Sequence, residues 1–359
     1  MLAELTIKQL RNISALYFMP SPGINLLLGE NAAGKTSILE AIHLLALGRS
    51  FRTRSLKQLI QFEQQALQVI AKTVGHQTPI GLQYSLPKGL EIRLNNAPLK
   101  KRSDLVLQLP LQFIPANCHQ FFEQGPRYRR QLLDWGLFHV EPSFNFHWLS
   151  YKKIIQQRNS AIRQHKKNNE IQLWDPHLIF HGEKISKQRI KRLERLLIEF
   201  EIIFSRLCPN YSGKSFSLSY RSGWPKDKNL SEAITTTIER DKQLGYTRSG
   251  CHAADWTFKI DGYEPSEVFS RGQQKLFFIA LCMAQIKTMD RQEENKLKSI
   301  LLIDDISSEL DASHQEIILN ELVSLHVQTF ITSTDSSLAR IAESNPVFSA
   351  FHVKHGQLV

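Results

Sequence analysis

Eight consecutive residues, Gly29-Glu30-Asn31-Ala32-Ala33-Gly34-Lys35-Thr36, satisfy the pattern G-x-x-x-x-G-K-[ST] in full. The chemistry of that pattern is phosphate binding. Glycines let the backbone fold tightly around phosphate oxygens and turn its N–H groups inward. A helix starting at the end of the loop adds the positive end of its dipole. Lys35 can then reach the β- and γ-phosphates of ATP, the Thr36 hydroxyl can ligate Mg2+, and Ser37 joins the same nucleotide-binding set.

Two further groups of residues have compatible chemistry. Ile300-Leu301-Leu302-Ile303-Asp304-Asp305 is an apolar run ending in two carboxylates. Such a run suits a central parallel strand, and its C-terminal end is where open α/β sheets bind ligands. Asp304 is expected to hold Mg2+ and its water shell. Asp305 is expected to orient or deprotonate the attacking water, which makes Lys35 and Asp305 the candidate catalytic pair. Alone, two such acids are equally a solvated strand end. The segment Phe269-Ser270-Arg271-Gly272-Gln273-Gln274-Lys275 precedes an apolar helix. Its serine and glycine can offer a hydroxyl and N–H groups to an anion, or Ser270 can be a plain helix cap. Its place a few helical turns before the acidic strand favours the first reading. Ser307-Ser308-Glu309-Leu310-Asp311 follows that strand.

Positioning these groups requires strands and helices in a definite order. Leu5-Thr6-Ile7 and Asn25-Leu26-Leu27-Leu28 have strand character. Ile38, Leu39, Ile42, Leu45 and Ala46 recur at helical spacing, which predicts a helix over 36–47 stopped by Gly48. Residues 66–99 suggest short strands with turns at Pro87-Lys88-Gly89 and Asn95-Asn96. From about 116 the pattern becomes helical over 127–167 and 183–207. Lys166-Lys167-Asn168-Asn169 marks the turn of an inserted arm. Leu193, Leu196, Leu197, Phe200, Phe204 and Leu207 form one stripe along it, suited to the arm's core or to a partner groove. Strand character returns at 216–220 and 256–262. A helix over 273–287 and strands at 300–303 and 329–332 complete the order.

The order phosphate loop, S-x-G-Q-Q, D-D, S-S-E-L-D resembles the ABC-type ATPase heads of the SMC and Rad50 kind. It is closer still to the RecF family of bacterial recombination mediators. Lys8-Gln9-Leu10-Arg11-Asn12-Ile13 is similar to that family's opening strand and adenine-side loop. Gly48-Arg49-Ser50-Phe51-Arg52 resembles the segment after its first helix. Gly125-Pro126-Arg127-Tyr128-Arg129-Arg130-Gln131-Leu132-Leu133-Asp134 resembles its G-x-P-x-x-R-R-x-[FL]-L-D signature. The resemblance runs from about residue 2 to 357. It departs from the pattern at Cys251 and Ala253 in Gly250–Asp255, and at Ala116. Thr332-Ser333-Thr334 stands where transporter ATPases carry a switch histidine.

The resemblance implies an α/β fold: an ABC-type P-loop ATPase head in two sequence-distant parts, 1–115 and 208–359, with a short helical arm over 116–207. Arg11 and Asn12 would approach the nucleotide. Ser270, Arg271, Gly272 and Gln273 would close over ATP held by a second copy, with Ser307 and Asp311 at that interface. Activity would be a weak, DNA-stimulated ATPase acting as a switch on an ATP-dependent homodimer. The substrate would be gapped, junction or single-stranded DNA. RecR and RecO would be partners, and RecA would be loaded as a result.

The composition agrees with this implication. Among 359 residues the net charge is +11, which favours a polyanionic partner, nucleic acid or a lipid surface. Arg52, within the group Arg49, Arg52 and Arg54, is a candidate near nucleotide or DNA. Arg127, Arg129 and Arg130 are candidates for DNA phosphates or for an internal ion network. The aromatics Phe121, Phe122, Phe138, Phe144, Phe146 and Trp148 are expected in a hinge or core. Cys118, Cys208, Cys251 and Cys282 show no C-x-x-C spacing and are expected as reduced thiols. No apolar run reaches the roughly 18 residues that span a bilayer, and the N-terminus lacks a basic leader, so a cytoplasmic location without a membrane partner is expected. An SMC-like tether would need far longer arms, and a transporter ATPase would not need the basic balance.

Overall fold

The computed structural model describes residues 1–74, 79–99, 102–290 and 299–359. The chain opens with β1 (Leu2–Leu10), β2 (Ile13–Phe18), β3 (Ile24–Leu28), α1 (Lys35–Leu47), β4 (Ala66–Thr73), β5 (Pro79–Ser85), β6 (Gly89–Leu94), β7 (Ala97–Pro98), α2 (Arg102–Gln108) and β8 (Leu111–Ile114). The helical stretch follows with α3 (Gln120–Glu123), α4 (Pro126–Val140), α5 (Pro142–Arg163), α6 (Asn168–Gln172) and α7 (Asp175–Leu207). Next come β9 (Phe216–Arg221), α8 (Leu230–Leu244), β10 (Asp255–Ile260), α9 (Pro265–Val268) and α10 (Arg271–Asp290). The chain closes with β11 (Ile300–Ile303), α11 (Ala312–Ser324), β12 (Gln328–Ser333), α12 (Ala339–Ser344), β13 (Phe348–Lys354) and β14 (Gln357–Leu358).

These elements form two compact units, Met1–Cys118 with Glu293–Val359, and His119–Gln292. In the first, one sheet has the order β14-β13-β3-β12-β11-β8, and β13, β3, β12, β11 and β8 run parallel. β3 and β11 are buried along their whole length, as a strand covered on both faces requires. A second sheet, β2-β1-β4-β5-β6-β7, is antiparallel, and its strands β4 and β5 alternate buried with half-buried or exposed positions. α1, apolar almost all round, shares one buried cluster with both sheets. The turns expected near 87–89 and 95–96 are present, and Asn95 and Asn96 both take left-handed backbone.

The second unit differs from the expected boundaries. The helical segment does not end as a separate body at residue 207. Phe200 of α7 lies 4.6 Å from Phe277 of α10 and 5.8 Å from Phe216 of β9, ring centre to ring centre. Arg192 donates to the Gln285 carbonyl at 2.9 Å. The stripe Leu193–Leu207 is thus the core of a unit that extends to 292, because it is filled by side chains that follow it in the chain. Among the expected core aromatics, Phe121 and Phe144 are buried, whereas Phe146 and Trp148 are exposed on α5. All four cysteines are buried thiols, and none forms a disulfide. Among the described residues no helix is long and apolar enough to cross a membrane.

Candidate nucleotide-binding site

The phosphate loop leaves β3 at Gly29, where a Cβ would lie 2.3 Å from the Val353 carbonyl oxygen. Backbone packing therefore demands glycine there. Gly34, at φ 115°, caps α1, and Ala32 between them is also left-handed at φ 62°. Such alternation is the backbone form of an anion-binding concavity, and within it the Ala33 N–H is held by the Glu30 carbonyl at 3.3 Å. Lys35 Nζ donates to the carbonyls of Gly29 and Glu30, at 2.7 and 2.8 Å. Burial lowers its pKa, while the carboxylates of Asp305 and Asp304 oppose that shift. Asn12 braces the loop: its Nδ2 donates to the Ala32 carbonyl at 3.1 Å, and its Oδ1 accepts from the Ser37 hydroxyl at 2.9 Å.

Sheet register brings the acids to this loop. Ile303 of β11 is level with Ile331 of β12, and Ile331 with Leu26 of β3, so all three strands end on one side. Thr36 Oγ1 donates to Asp304 Oδ1 at 2.9 Å, and Thr332 Oγ1 donates to the same oxygen at 2.8 Å. Thr332 Oγ1 also accepts the Asp305 N–H at 2.7 Å. One hydroxyl therefore ties both acids to the neighbouring strand. Asp305 sits at φ 51°, a left-handed conformation that costs about 1–2 kcal/mol for an L-residue. Ser307 Oγ donates to its Oδ1 at 3.1 Å. Residues separated by more than 260 positions thus form one polar cavity of about 550 Å3. Asn31 to Ser37 line it together with Arg11, Asn12, Arg52, Ala116, Asp304, Asp305, Thr332 and Thr334. The hard oxygen donors of Thr36 and Asp304 suit Mg2+.

Arg11 has a partner that the sequence did not reveal. Its Nε and Nη2 bind the two oxygens of Glu40, at 3.0 and 3.2 Å, and Glu40 is fully buried in α1. The signal was present: Glu40 is the one acid in a largely apolar helix.

In the second unit, Ser270 and Gln273 form a reciprocal cap. Gln273 Oε1 accepts the Ser270 N–H at 3.0 Å, and Ser270 Oγ accepts the Gln273 N–H at 3.3 Å. Ser270 and Arg271 are exposed. The N–H groups of Arg271 and Gly272 lie in the first helical turn, where the helix supplies no acceptor of its own. In the first unit, Asp311 caps α11, accepting the His314 N–H at 2.8 Å; that bond and one from Ser313 hold its carboxyl down to about 2.

The three signature arginines separate. Arg129 forms a two-pronged pair with Asp255, both bonds at 2.9 Å, and Arg130 donates to the Ala254 carbonyl. Asp255 accepts from Arg221 as well, and despite burial these bonds hold its carboxyl below the usual range. Arg127 alone of the three is exposed. Asp134, which ends the signature, binds Arg189 through both oxygens at 2.8 and 2.7 Å. Cys251 is enclosed in the same network, where its carbonyl accepts from Arg189 at 2.6 Å.

Comparison with known proteins places this geometry. The family model described as RecF/RecN/SMC N terminal domain matches residues 1–357. A DNA replication and repair protein RecF of Nitrosococcus oceani is 39% identical over 99% of this chain and 98% of its own. A solved structure of the recombination mediator protein RecF-ATP in the RecFOR pathway superposes with a TM-score of 0.82 at 23% identity, covering 100% and 96% of the two chains. An Smc head bound to the C-winged helix domain of ScpA superposes at 0.59 and 14%, covering 100% and 97%. The two superpositions establish an SMC-type ATPase head fold. Sequence identity at the level of the Nitrosococcus protein, over nearly all of both chains, means shared descent: this protein belongs to the RecF family.

Proposed function

We propose that this protein is an ATP-gated DNA-binding protein of recombinational repair and replication restart, with slow ATP hydrolysis as its release step. The observation that carries the reading is the meeting of Thr36 with Asp304, because it joins the phosphate loop to the acidic strand in one cavity. The relative's description as a DNA replication and repair protein supports the biological setting. The solved RecF-ATP structure supports the choice of nucleotide.

The loop amides of Asn31–Thr36 and the Lys35 ammonium would hold the triphosphate. Lys35 has to exchange its two carbonyl partners for phosphate oxygens, which its mobile four-carbon stem allows. Thr36 and Asp304 would hold Mg2+, which when bound neutralises phosphate charge. Asp305 would accept the proton of the attacking water as oxygen bonds to the γ-phosphorus and the bond to the bridging oxygen breaks, leaving ADP and phosphate. Its tether to Ser307 fixes the carboxylate's direction. Thr332 and Thr334, at the place of the transporters' switch histidine, supply hydroxyls only, which fits slow turnover. Ser270, Arg271, Gly272 and Gln273 of a second copy would close over the γ-phosphate, with Ser307 and Asp311 nearby, so that ATP favours the dimer and the dimer tightens ATP. The ATPase head and its helical arm, in a cytoplasmic dimer, would take gapped, junction and single-stranded DNA and act with RecR and RecO in loading RecA. Of Arg52, Arg127, Arg129 and Arg130, the exposed candidates for DNA contact are Arg52 and Arg127.

Light scattering and DNA anisotropy on the same samples test this. Wild-type protein is expected to dimerise with ATP and to bind gapped DNA more tightly in that state. Ser270→Arg is expected to keep the nucleotide affinity of the monomer nearly intact, remain monomeric with ATP and lose the ATP-dependent gain. A Ser270→Arg protein that still dimerises with ATP overturns the closure across the dimer. Asp305→Asn turning over ATP at the normal rate removes Asp305 from its role.

A further inference from the structure

Behind the nucleotide cavity, α1 ends in a loop whose sequence is unusually basic. Gly48, left-handed at φ 63°, stops the helix, and Arg49, Ser50, Phe51, Arg52, Thr53 and Arg54 follow. Among the described residues no carboxylate forms an ion pair with Arg49, Arg52 or Arg54, and all three are exposed. Elsewhere in the molecule Arg129, Arg158 and Arg189 each bind an acid. Three uncompensated guanidiniums within six residues create a local positive field.

The backbone carrying them is held in place. His43 Nδ1 donates to the Arg49 carbonyl at 2.8 Å, which fixes the proton on that nitrogen. Burial keeps this imidazole neutral, with its pKa pushed down to about 4. Ser50 Oγ accepts the N–H groups of Arg52 and Thr53, at 2.9 and 3.1 Å. The same hydroxyl donates to Glu40, whose carboxylate binds Arg11 at the nucleotide cavity. Phe51 stacks on Phe113 with 4.1 Å between ring centres and closes one side. The result is an open groove of about 430 Å3 lined by His43, Arg49, Ser50, Phe51, Thr53 and Arg54, with no acid in its wall. Its lining does not include the phosphate loop.

We propose that this groove is a second phosphate site, which takes the phosphodiester backbone of DNA on Arg49 and Arg54 and communicates with the nucleotide cavity through Ser50, Glu40 and Arg11. The inference rests on the DNA-binding reading above and assigns it a place. Guanidinium forks match phosphate oxygens, and Phe51 offers an apolar wall to the deoxyribose. A pinned loop loses little entropy on binding. Arg52 lines the nucleotide cavity while its N–H rests on Ser50, so a shift at either end of the chain of bonds is felt at the other.

The test uses the full-length protein, a labelled gapped duplex and a non-hydrolysable ATP analogue. Arg49→Ala/Arg54→Ala is expected to weaken DNA binding by at least about tenfold and to lower the slope of log K against log salt by about 2, one for each phosphate no longer neutralised. Affinity for the ATP analogue without DNA should stay within about twofold. Ser50→Ala keeps both arginines, and it should shrink the factor by which the analogue tightens DNA. Unchanged DNA affinity and salt slope in the double variant overturn the site while leaving the DNA-binding reading intact. An unchanged tightening factor in Ser50→Ala overturns the communication. A wild-type protein that binds no DNA with or without the analogue overturns both the site and the function.

Discussion

Arginines that look alike in the sequence end in opposite circumstances in the two units. In the helical unit, Arg158 is fully buried between Asp175 and Asp241, at 2.8 and 2.9 Å, with Thr247 at 2.7 Å. Arg129 and Arg189 each grip one acid with both prongs. In the nucleotide-binding unit, Arg49, Arg52 and Arg54 stand exposed without an ion-paired acid among the described residues. The difference lies in the acids rather than in the arginines. Where a carboxylate meets the guanidinium, as at Arg129, Arg158 and Arg189, the pair is buried or half-buried and ties elements together; Arg49, Arg52 and Arg54 meet none, and their charge stays in water. The two groups of arginines therefore differ in circumstance: one holds elements together, and the other stands in water.

The largest expected effect contrasts two buried cations. Arg158→Met leaves Asp175 and Asp241 without their shared partner and is expected to destabilise the protein by about 3–5 kcal/mol, read from urea denaturation. Lys35→Ala, in the other unit, removes an ammonium that burial disfavours. It should leave denaturation nearly unchanged while lowering affinity for a fluorescent ATP analogue by at least about 100-fold, because the ammonium's charge-assisted bonds to phosphate cannot form. Loss of stability in Lys35→Ala with intact nucleotide binding would erase the distinction.

A smaller effect comes from one buried histidine in each unit. His43 and His252 are both held near a pKa of about 4 by burial; His252 donates to the Thr247 carbonyl at 2.9 Å and accepts from Tyr151 at 2.7 Å. The unfolded chain takes up these protons near pH 6.5 and the folded chain only near 4. Stability is then fully present above about pH 6.5 and falls as pH drops toward 4, by up to about 3 kcal/mol for each histidine. Melting curves of wild type and His252→Gln at pH 7 and 4.5 check this. A variant whose pH-dependent loss equals that of wild type would show that His252 is not held neutral.

Least in size, and most direct for the arginines, is the pair Arg129 and Arg127 on one turn of α4. Arg129→Ala leaves Asp255 buried beside Arg221 alone and should cost about 1–3 kcal/mol of stability. Arg127→Ala should change stability by less than about 0.5 kcal/mol and act only on DNA affinity. Equal destabilisation by both would mean that exposure does not separate their roles.

Much of the local structure at the candidate nucleotide site was legible in the sequence. The loop Gly29–Thr36, the apolar strand with Asp304 and Asp305, and the start of α10 at Ser270 depend on backbone requirements and periodicities that operate within a dozen residues. The turns at 87–89 and 95–96 and the stop at Gly48 were legible for the same reason: a left-handed residue or a cap is a local demand. The Ser270 segment was legible as a cap or an anion site, and the structure shows the cap. α8 was missed although Asn229 and Glu232 form a capping box at its start.

Tertiary structure alone decided the partners and the limits of the units. Arg129 finds Asp255 across 126 positions and Arg158 finds Asp241 across 83. No periodicity links residues so far apart, because ion pairing depends on where folded elements bring side chains rather than on spacing along the chain. The same holds for the end of the helical unit, which lies at 292 rather than 207 because β9 and α10 fill the groove of α7. It holds again for Glu40, an acid in an apolar helix whose meaning appears only when Arg11 and Ser50 converge on it. Sequence determines which residues can do chemistry, since the side chains and the local backbone carry that information; the fold determines which of them are left free to do it, since only packing brings a distant acid to neutralise one cation and leaves the next exposed to water.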